Sequence, residues 1–298
     1  MSRMRPRIAN LAVTFALGAL CAPAIAKDRI AYLSPTAGYW QVWVADADGA
    51  NSSLVSRSPY DKIKLSWFPS GDKLLVCGSA GELKSLSIAD GSETTVSMPM
   101  EHGGDAVLSP DGAMIAFSAM NASSPDTNDI WLAQIDGSLA RKVASLPALQ
   151  HEPAWAASGD RLYFLSGPGG QAHDIYTVDL QGNQLEQLTV GNLYHFDISA
   201  APDGTLAFSS NRRDGNYDIW SRDRAGKERV LIASAEMESQ PEWSSDGRSL
   251  YFTRIHGAVA NIWVADRQGK NIRQITALPL GARGVAVLSS SEYKRKKS

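Results

Sequence analysis

The chain has 298 residues, 29 of them basic and 31 acidic, with 44% hydrophobic and 20% charged side chains and two cysteines. This composition is ordinary for a globular chain and excludes a collagen-like or disulfide-built one; it suits one large all-β domain or two smaller ones.

Taken from its start, the chain opens with Arg3, Arg5 and Arg7, a mostly apolar run from Leu11 to Leu20, and Ala24-Ile25-Ala26. That order predicts a signal peptide over residues 1–26, cleaved after Ala26. The apolar run is too short to span a bilayer core of about 30 Å, so no membrane-spanning segment is expected in the mature chain. The arginines do not form a twin pair, and Cys21 follows Leu20 where a lipid-modified cysteine wants a small neighbour. Export by the general secretory route to the periplasm is therefore expected, without a lipid anchor. Removing the segment and its three arginines leaves 26 basic against 31 acidic side chains, a net charge of −5. That balance excludes a nucleic-acid partner, which needs a basic surface. Cys77 is then the only cysteine, so no internal disulfide is available.

From Asp28 onward one unit recurs. Its first mark is a turn, as in Trp67-Phe-Pro-Ser-Gly71, Leu108-Ser-Pro-Asp-Gly112, Trp155-Ala-Ala-Ser-Gly159, Ala200-Ala-Pro-Asp-Gly204 and Trp243-Ser-Ser-Asp-Gly247. The glycines step by 41, 47, 45 and 43 residues, the period of a propeller blade. A second apolar strand follows each turn, such as Leu74-Leu-Val76 or Leu206-Ala-Phe208. A third is centred on Trp43, Leu86, Trp131, Tyr176, Trp220 or Trp263. Turns such as Asp46-Ala-Asp-Gly49 and Asp136-Gly137 lead to a weaker outer strand. Six third strands predict an all-β, six-bladed propeller of four-stranded antiparallel blades, in one domain over residues 27–290. A basic tail, 291–298, follows.

Blade 1 begins at Ile30-Ala-Tyr32, already its second strand. Its inner strand is missing from that end. Ala286-Val-Leu-Ser289 repeats Ala106-Val-Leu-Ser109 residue for residue, so residues 285–288 are predicted to supply it and close the ring.

Most repeated residues read as architecture. The tryptophans suit packing between blades. Asp129, Asp174, Asp218 and Asn261 stand two residues before the third-strand aromatic and are expected to bond turn backbone. Tyr39 and Trp40 fall outside the repeat register and are a candidate contact loop.

The candidate site is the channel mouth, where the inner strands begin. Counting back seven from each turn glycine gives Lys64, Asp105, Glu152, Asp197 and Gln240, with Val285 as the blade 1 equivalent. His102, His151 and His195 lie just upstream, one in each of the same three blades as the carboxylates. These residue types suit a polar patch that recognises a partner, or a divalent metal. No resident cofactor is expected, the metal being the alternative. The chain contains no Gly-x-Ser-x-Gly elbow, His-Glu-x-x-His or phosphate-binding Gly-Lys-Ser, so no catalytic residue is assigned.

The units Pro153-Ala-Trp155 through Tyr163-Phe164, Ala201-Pro-Asp-Gly204 through Asp214-Gly-Asn-Tyr-Asp-Ile-Trp220, and Gln240-Pro-Glu-Trp-Ser-Ser-Asp-Gly247 through Asn261-Ile-Trp263 resemble the WD40-like repeats of the TolB propeller family. The resemblance covers residues 28–290 or so. It implies a periplasmic protein of the cell envelope whose propeller mouth binds a protein partner, the peptidoglycan-associated lipoprotein Pal. No counterpart of the N-terminal α/β domain of TolB is expected before the first blade. Related repeats occur in oligogalacturonate lyases, which hold a metal with histidine in a similar channel. Two functions therefore stand side by side: a monomeric, non-enzymatic protein-binding module, or a metal-dependent lyase-like enzyme. A carbohydrate- or small-ligand-binding propeller is a variant of the first.

Overall fold

Short apolar runs separated by glycine turns cannot bury both faces alone, and here they are stacked radially. The computed structural model describes residues 28–98, 100, 104–121, 124–167, 172–191 and 193–288. The predicted signal peptide, His102 and the basic tail lie outside them. Within them the chain forms six four-stranded antiparallel sheets in a ring. Numbered along the chain, the inner strands are β4 (Lys62–Trp67), β8 (Val107–Leu108), β12 (Leu149–Trp155), β16 (His195–Ala200), β20 (Met237–Trp243) and β24 (Arg283–Leu288). The second strands are β1 (Arg29–Thr36), β5 (Lys73–Gly78), β9 (Met114–Asn121), β13 (Arg161–Gly167), β17 (Leu206–Arg213) and β21 (Ser249–His256).

The second strands are buried on both faces, as β13 illustrates from Leu162 to Gly167. Each blade is covered by a neighbour on either side, so alternation gives way to continuous burial. The core is accordingly divided into six clusters, one at each contact between adjacent blades. Trp67 and Trp155 lie in these contacts. Their indole N–H groups donate across to Ala286 O at 3.1 Å and Val107 O at 3.2 Å, so these two tryptophans join blades as well as filling space.

The ring closes as the sequence match requires. β24 pairs antiparallel with β1, Leu288 opposite Arg29, Val287 opposite Ile30 and Ala286 opposite Ala31. One detail shifts. Trp155, Trp243 and Val287 all stand opposite the second residue of their second strand, so the blade 1 counterpart of Glu152 is Gly284, not Val285. Four-residue identity set the sequence register, whereas the sheet sets it by hydrogen bonding and places an extra residue before the match.

Three other expectations change. In blade 2, Lys84 stands opposite Val76 where other blades have an aromatic, and the buried Leu86 lies two residues further along the same face. Asp129 and Asp218 bond side chains, Lys142 and Arg213, and Asp174 bonds Gln187 and Thr189 together with the Gly191 backbone N–H. Asn261 accepts from the Leu278 backbone N–H at 3.0 Å and from Thr276. The Asp129, Asp174 and Asn261 links fasten the third strand to the outer strand or the chain beyond it, and the Asp218 link fastens it to Arg213 at the end of the second strand. Finally, Tyr39 and Trp40 belong to a strand, β2 (Tyr39–Asp46), and the turn before it is Ala37-Gly38.

Candidate functional site

The inner strands enclose a channel with a cavity of about 680 Å³, lined by residues that include Lys64, Asp105, His151, Glu152, Asp197, Gln240 and Glu242. The sequence-predicted carboxylates thus do come together. What they do was not predicted. Glu152, Asp197 and Gln240 have φ of 50°, 57° and 52° at a bulge where the inner strand carries one extra residue. Left-handed backbone at such a bulge turns the residue's N–H out of the ladder. Each freed N–H finds an acceptor on the preceding blade. Glu152 N donates to Asp105 Oδ2 at 2.8 Å, Asp197 N to Glu152 Oε2 at 2.8 Å, and Gln240 N to Asp197 Oδ2 at 3.1 Å. Gly284 N then donates to Gln240 Oε1 at 3.0 Å. One polar side chain per blade ties the next blade's backbone, from blade 3 round to blade 1. The series cannot continue in kind, because Gly284 has no side chain and Lys64 offers a donor where an acceptor is needed.

Further donors reach the same side chains. Asp105 Oδ1 accepts from Ser118 N at 3.0 Å, Asp197 from Ser209 Oγ, and Gln240 Oε1 from Thr253 Oγ1. Burial would push Glu152 up, but His151, Lys64 and the Asp197 N–H hold it below the usual glutamate range. Asp197 is raised, first by burial and then by the Glu152 charge beside it. Glu242, which the sequence reading missed, is pushed up to about 7 by burial against the opposing effects of Ser199 and Lys64. Its signal was available: two residues beyond Gln240 in a strand, it faces the same way.

The histidines do not form one set. His151 lines the channel, its Nδ1 3.7 Å from Glu152 Oε1. His195 is fully buried beside Phe208, with neither ring nitrogen hydrogen-bonded. The two lie 8 and 9 residues before their glycines, and one residue of offset in a strand is the opposite face. The positions equivalent to His195 hold Lys62, Gln150 and Glu238, also fully buried, which bond nearby backbone carbonyls or the Ser234 and Arg254 side chains. Among the described residues, no three His, Cys, Asp or Glu side chains are grouped to hold a metal ion.

His195 makes acid stability testable. Burial, then the Arg212 charge and His173, lower its pKa from 6.5 to about 4. Between those values the unfolded chain binds the proton and the folded chain does not. Stability should therefore fall as pH drops from about 6.5 to about 4, by up to about 3 kcal/mol, with no further loss from this group below that. Urea unfolding at pH 7 and 4.5 should show this component absent from His195→Leu; equal acid losses in both proteins would refute it.

A second group at the same mouth was not singled out. His151 meets His173 edge-on at 4.5 Å between ring centroids, and His173 meets Tyr194 and Phe196 at 5.8 and 5.3 Å. Tyr217 lies 5.7 Å from Phe196. These half-buried rings form one surface across blades 4 and 5, joined by an isolated bridge between His173 and Tyr194. Their positions vary from blade to blade, so the repeat gave no signal for them. Of the other candidate pair, Tyr39 is 38% exposed, while Trp40 packs partly buried beneath the Arg283 guanidinium at 4.0 Å.

The ring of six sheets with a polar channel defines a six-bladed β-propeller. Residues 22–284 match the family model described as the TolB beta propeller domain, and the chain belongs to that family. The Tol-Pal system protein TolB of Anaeromyxobacter dehalogenans (strain 2CP-C) is 31% identical over 136 residues, 45% of this chain and 30% of that protein. The match thus spans less than a third of that relative's length. The crystal structure of TolB from Acinetobacter baumannii superposes with a TM-score of 0.74 at 18% identity, covering 88% of this chain and 66% of that one. A chain of the nidogen/laminin complex reaches a TM-score of 0.69 at 14% identity, covering 88% of this chain and 99% of that one. Likeness at such identities establishes the fold alone.

Proposed function

We propose that this chain is an exported, non-enzymatic binding module of the periplasm whose channel mouth receives a protein of the cell envelope, a Pal-like lipoprotein by family analogy. The observation that carries the reading is the His151, His173, Tyr194, Phe196 and Tyr217 surface beside the channel. Aromatic rings held rigid by their neighbours, half in contact with solvent, are the side chains that anchor protein interfaces. Membership of the TolB propeller family and a relative named for the Tol-Pal system support an envelope partner. The channel carboxylates contribute a fixed rim, since their oxygens already hold backbone N–H groups.

The test uses the peptidoglycan-associated lipoprotein of the same genome, as its soluble domain, titrated against the mature chain by calorimetry. Binding with Kd below about 10 μM, weakened at least about tenfold by Tyr194→Ala with Tyr217→Ala, is expected. No binding, or binding indifferent to both substitutions, would overturn the reading. For the lyase-like alternative, His151 is the one predicted histidine among the described residues that lines the channel. Turnover of an unsaturated digalacturonate with added manganese would favour that alternative.

A further inference from the structure

On the face opposite the mouth, between blades 4 and 5, lies a cavity of about 420 Å³, within the size range of small-ligand sites, about 300–1,000 Å³. The repeat explains why it exists. The inner-strand position opposite Leu74, Ile115, Leu162, Leu206, Leu250 and Ile30 of the second strands holds Trp67, Leu108, Trp155, Ala200, Trp243 and Val287 around the ring. Ala200 is the smallest of the six. On the facing blade, Ala156 stands where blade 2 has Phe68, which packs into its own blade contact. Two small residues oppose each other, and the space between them stays open.

Blade 6 shows what the same place holds when it is filled. Arg267, in the turn after the third strand, lies 5.6 Å from the centroid of the Trp243 ring and ion-pairs with Asp203 of blade 5. Its counterpart in blade 5 is Arg224: Asp223-Arg224-Ala-Gly226 repeats Asp266-Arg267-Gln-Gly269, with the same turn hydrogen bond from the glycine N–H. Two of Arg267's partners, which also include Gly247 O and Thr205, are missing around Arg224. Ala200 replaces the indole and Ser158 replaces the carboxylate. Arg224 borders the cavity and has no hydrogen-bond or ion-pair partner among the described residues.

Tyr163 behaves alike. Its counterpart Tyr251 donates its hydroxyl to Ala47 O at 3.2 Å across the contact between blades 6 and 1. The Tyr163 hydroxyl has no such partner among the described residues, and the side chain lines the cavity. The other lining arginines are engaged, Arg161 with Gln184 and Arg222 with Gly226 O.

We propose that this cavity binds a planar aromatic carboxylate, its ring over Ala200 beneath the Arg224 guanidinium and its carboxylate on Arg224 and the Tyr163 hydroxyl. A guanidinium over a ring gains from the ring quadrupole, and a charged acceptor strengthens both hydrogen bonds. A free aromatic acid and the C-terminal aromatic residue of a peptide share this chemistry.

Calorimetry on the mature chain with indole-3-acetate tests the proposal. One saturable site with Kd below about 1 mM is expected. Ala200→Trp should weaken binding at least about tenfold while melting at or above the wild-type temperature, because the new indole fills the cavity. Arg224→Met, at an exposed side chain, should weaken it similarly without altering the fold. No saturable binding to the wild type, or equal binding by both variants, overturns the proposal. If indole binds as well as indole-3-acetate, the carboxylate contact is wrong and the proposal falls in that form. A tetrapeptide ending in tryptophan, set against its C-terminal amide, distinguishes the two sources: tighter binding than indole-3-acetate, lost on amidation, indicates a peptide terminus, and weaker binding indicates a free acid.

Discussion

A chain that stops at Ala282 is expected to lose its cooperative fold. Without β24, the backbone edge of β1 opens along Arg29, Ile30, Ala31 and Leu33, and Trp67 loses the acceptor for its indole N–H. Val285, Ala286 and Leu288, all buried, go with it. Full burial of Val or Leu side chains contributes about 1.5–3 kcal/mol each, and a domain's whole stability is only about 5–15 kcal/mol. The opened edge is also a template for pairing with another chain. Thermal melting followed by circular dichroism should show a broad transition at least about 15 °C lower, or none, since each kcal/mol is worth about 2–4 °C at this size. Gel filtration should show oligomers. A synthetic peptide of residues 281–288 added in excess should recover part of the transition by mass action. An unchanged melting curve would mean that closure contributes little.

Asp105→Ala should be the most damaging single change at the channel. Asp105 is buried and accepts from two backbone donors, Ser118 N within its own blade and Glu152 N of the next. Removing the carboxylate leaves both N–H groups without an acceptor. At about 1–3 kcal/mol for each, the loss should be about 2–5 kcal/mol by guanidinium unfolding. Asp105→Asn keeps one oxygen and should lose about half as much. The order Ala worse than Asn worse than wild type is the signature of an acceptor role. If Asp105→Ala unfolds within about 0.5 kcal/mol of the wild type, the ties between blades are incidental. The same result bears on partner binding: channel carboxylates cannot serve as clean binding probes, whereas Tyr194 and Tyr217 lie off the ties.

These two expectations mark how far the candidate site was legible. The sequence showed that Asp105, Glu152, Asp197 and Gln240 share one repeat position, and the channel does bring them together. It could not show their partners. The N–H group that each accepts stands about one repeat further along the chain, between 43 and 47 residues away, and is freed only by a left-handed bulge. His151 and His195 looked alike in the sequence, yet one residue of register put one on the channel and the other inside the blade. The ring cluster on blades 4 and 5 had no repeat to announce it.

What the sequence determined by itself was the architecture. Turn glycines, second-strand apolar runs and third-strand aromatics are local choices, so their period of about 45 residues dictates the blade, and six copies with a displaced inner strand dictate a closed ring. Tertiary structure alone decided which polar groups remain free to act. That depends on contacts between blades: an acceptor is engaged when the next blade turns an N–H toward it, and a cavity opens where Ala200 and Ala156 face each other. Residues of one repeat fix the blade, and residues of two repeats, meeting in space, fix the sites.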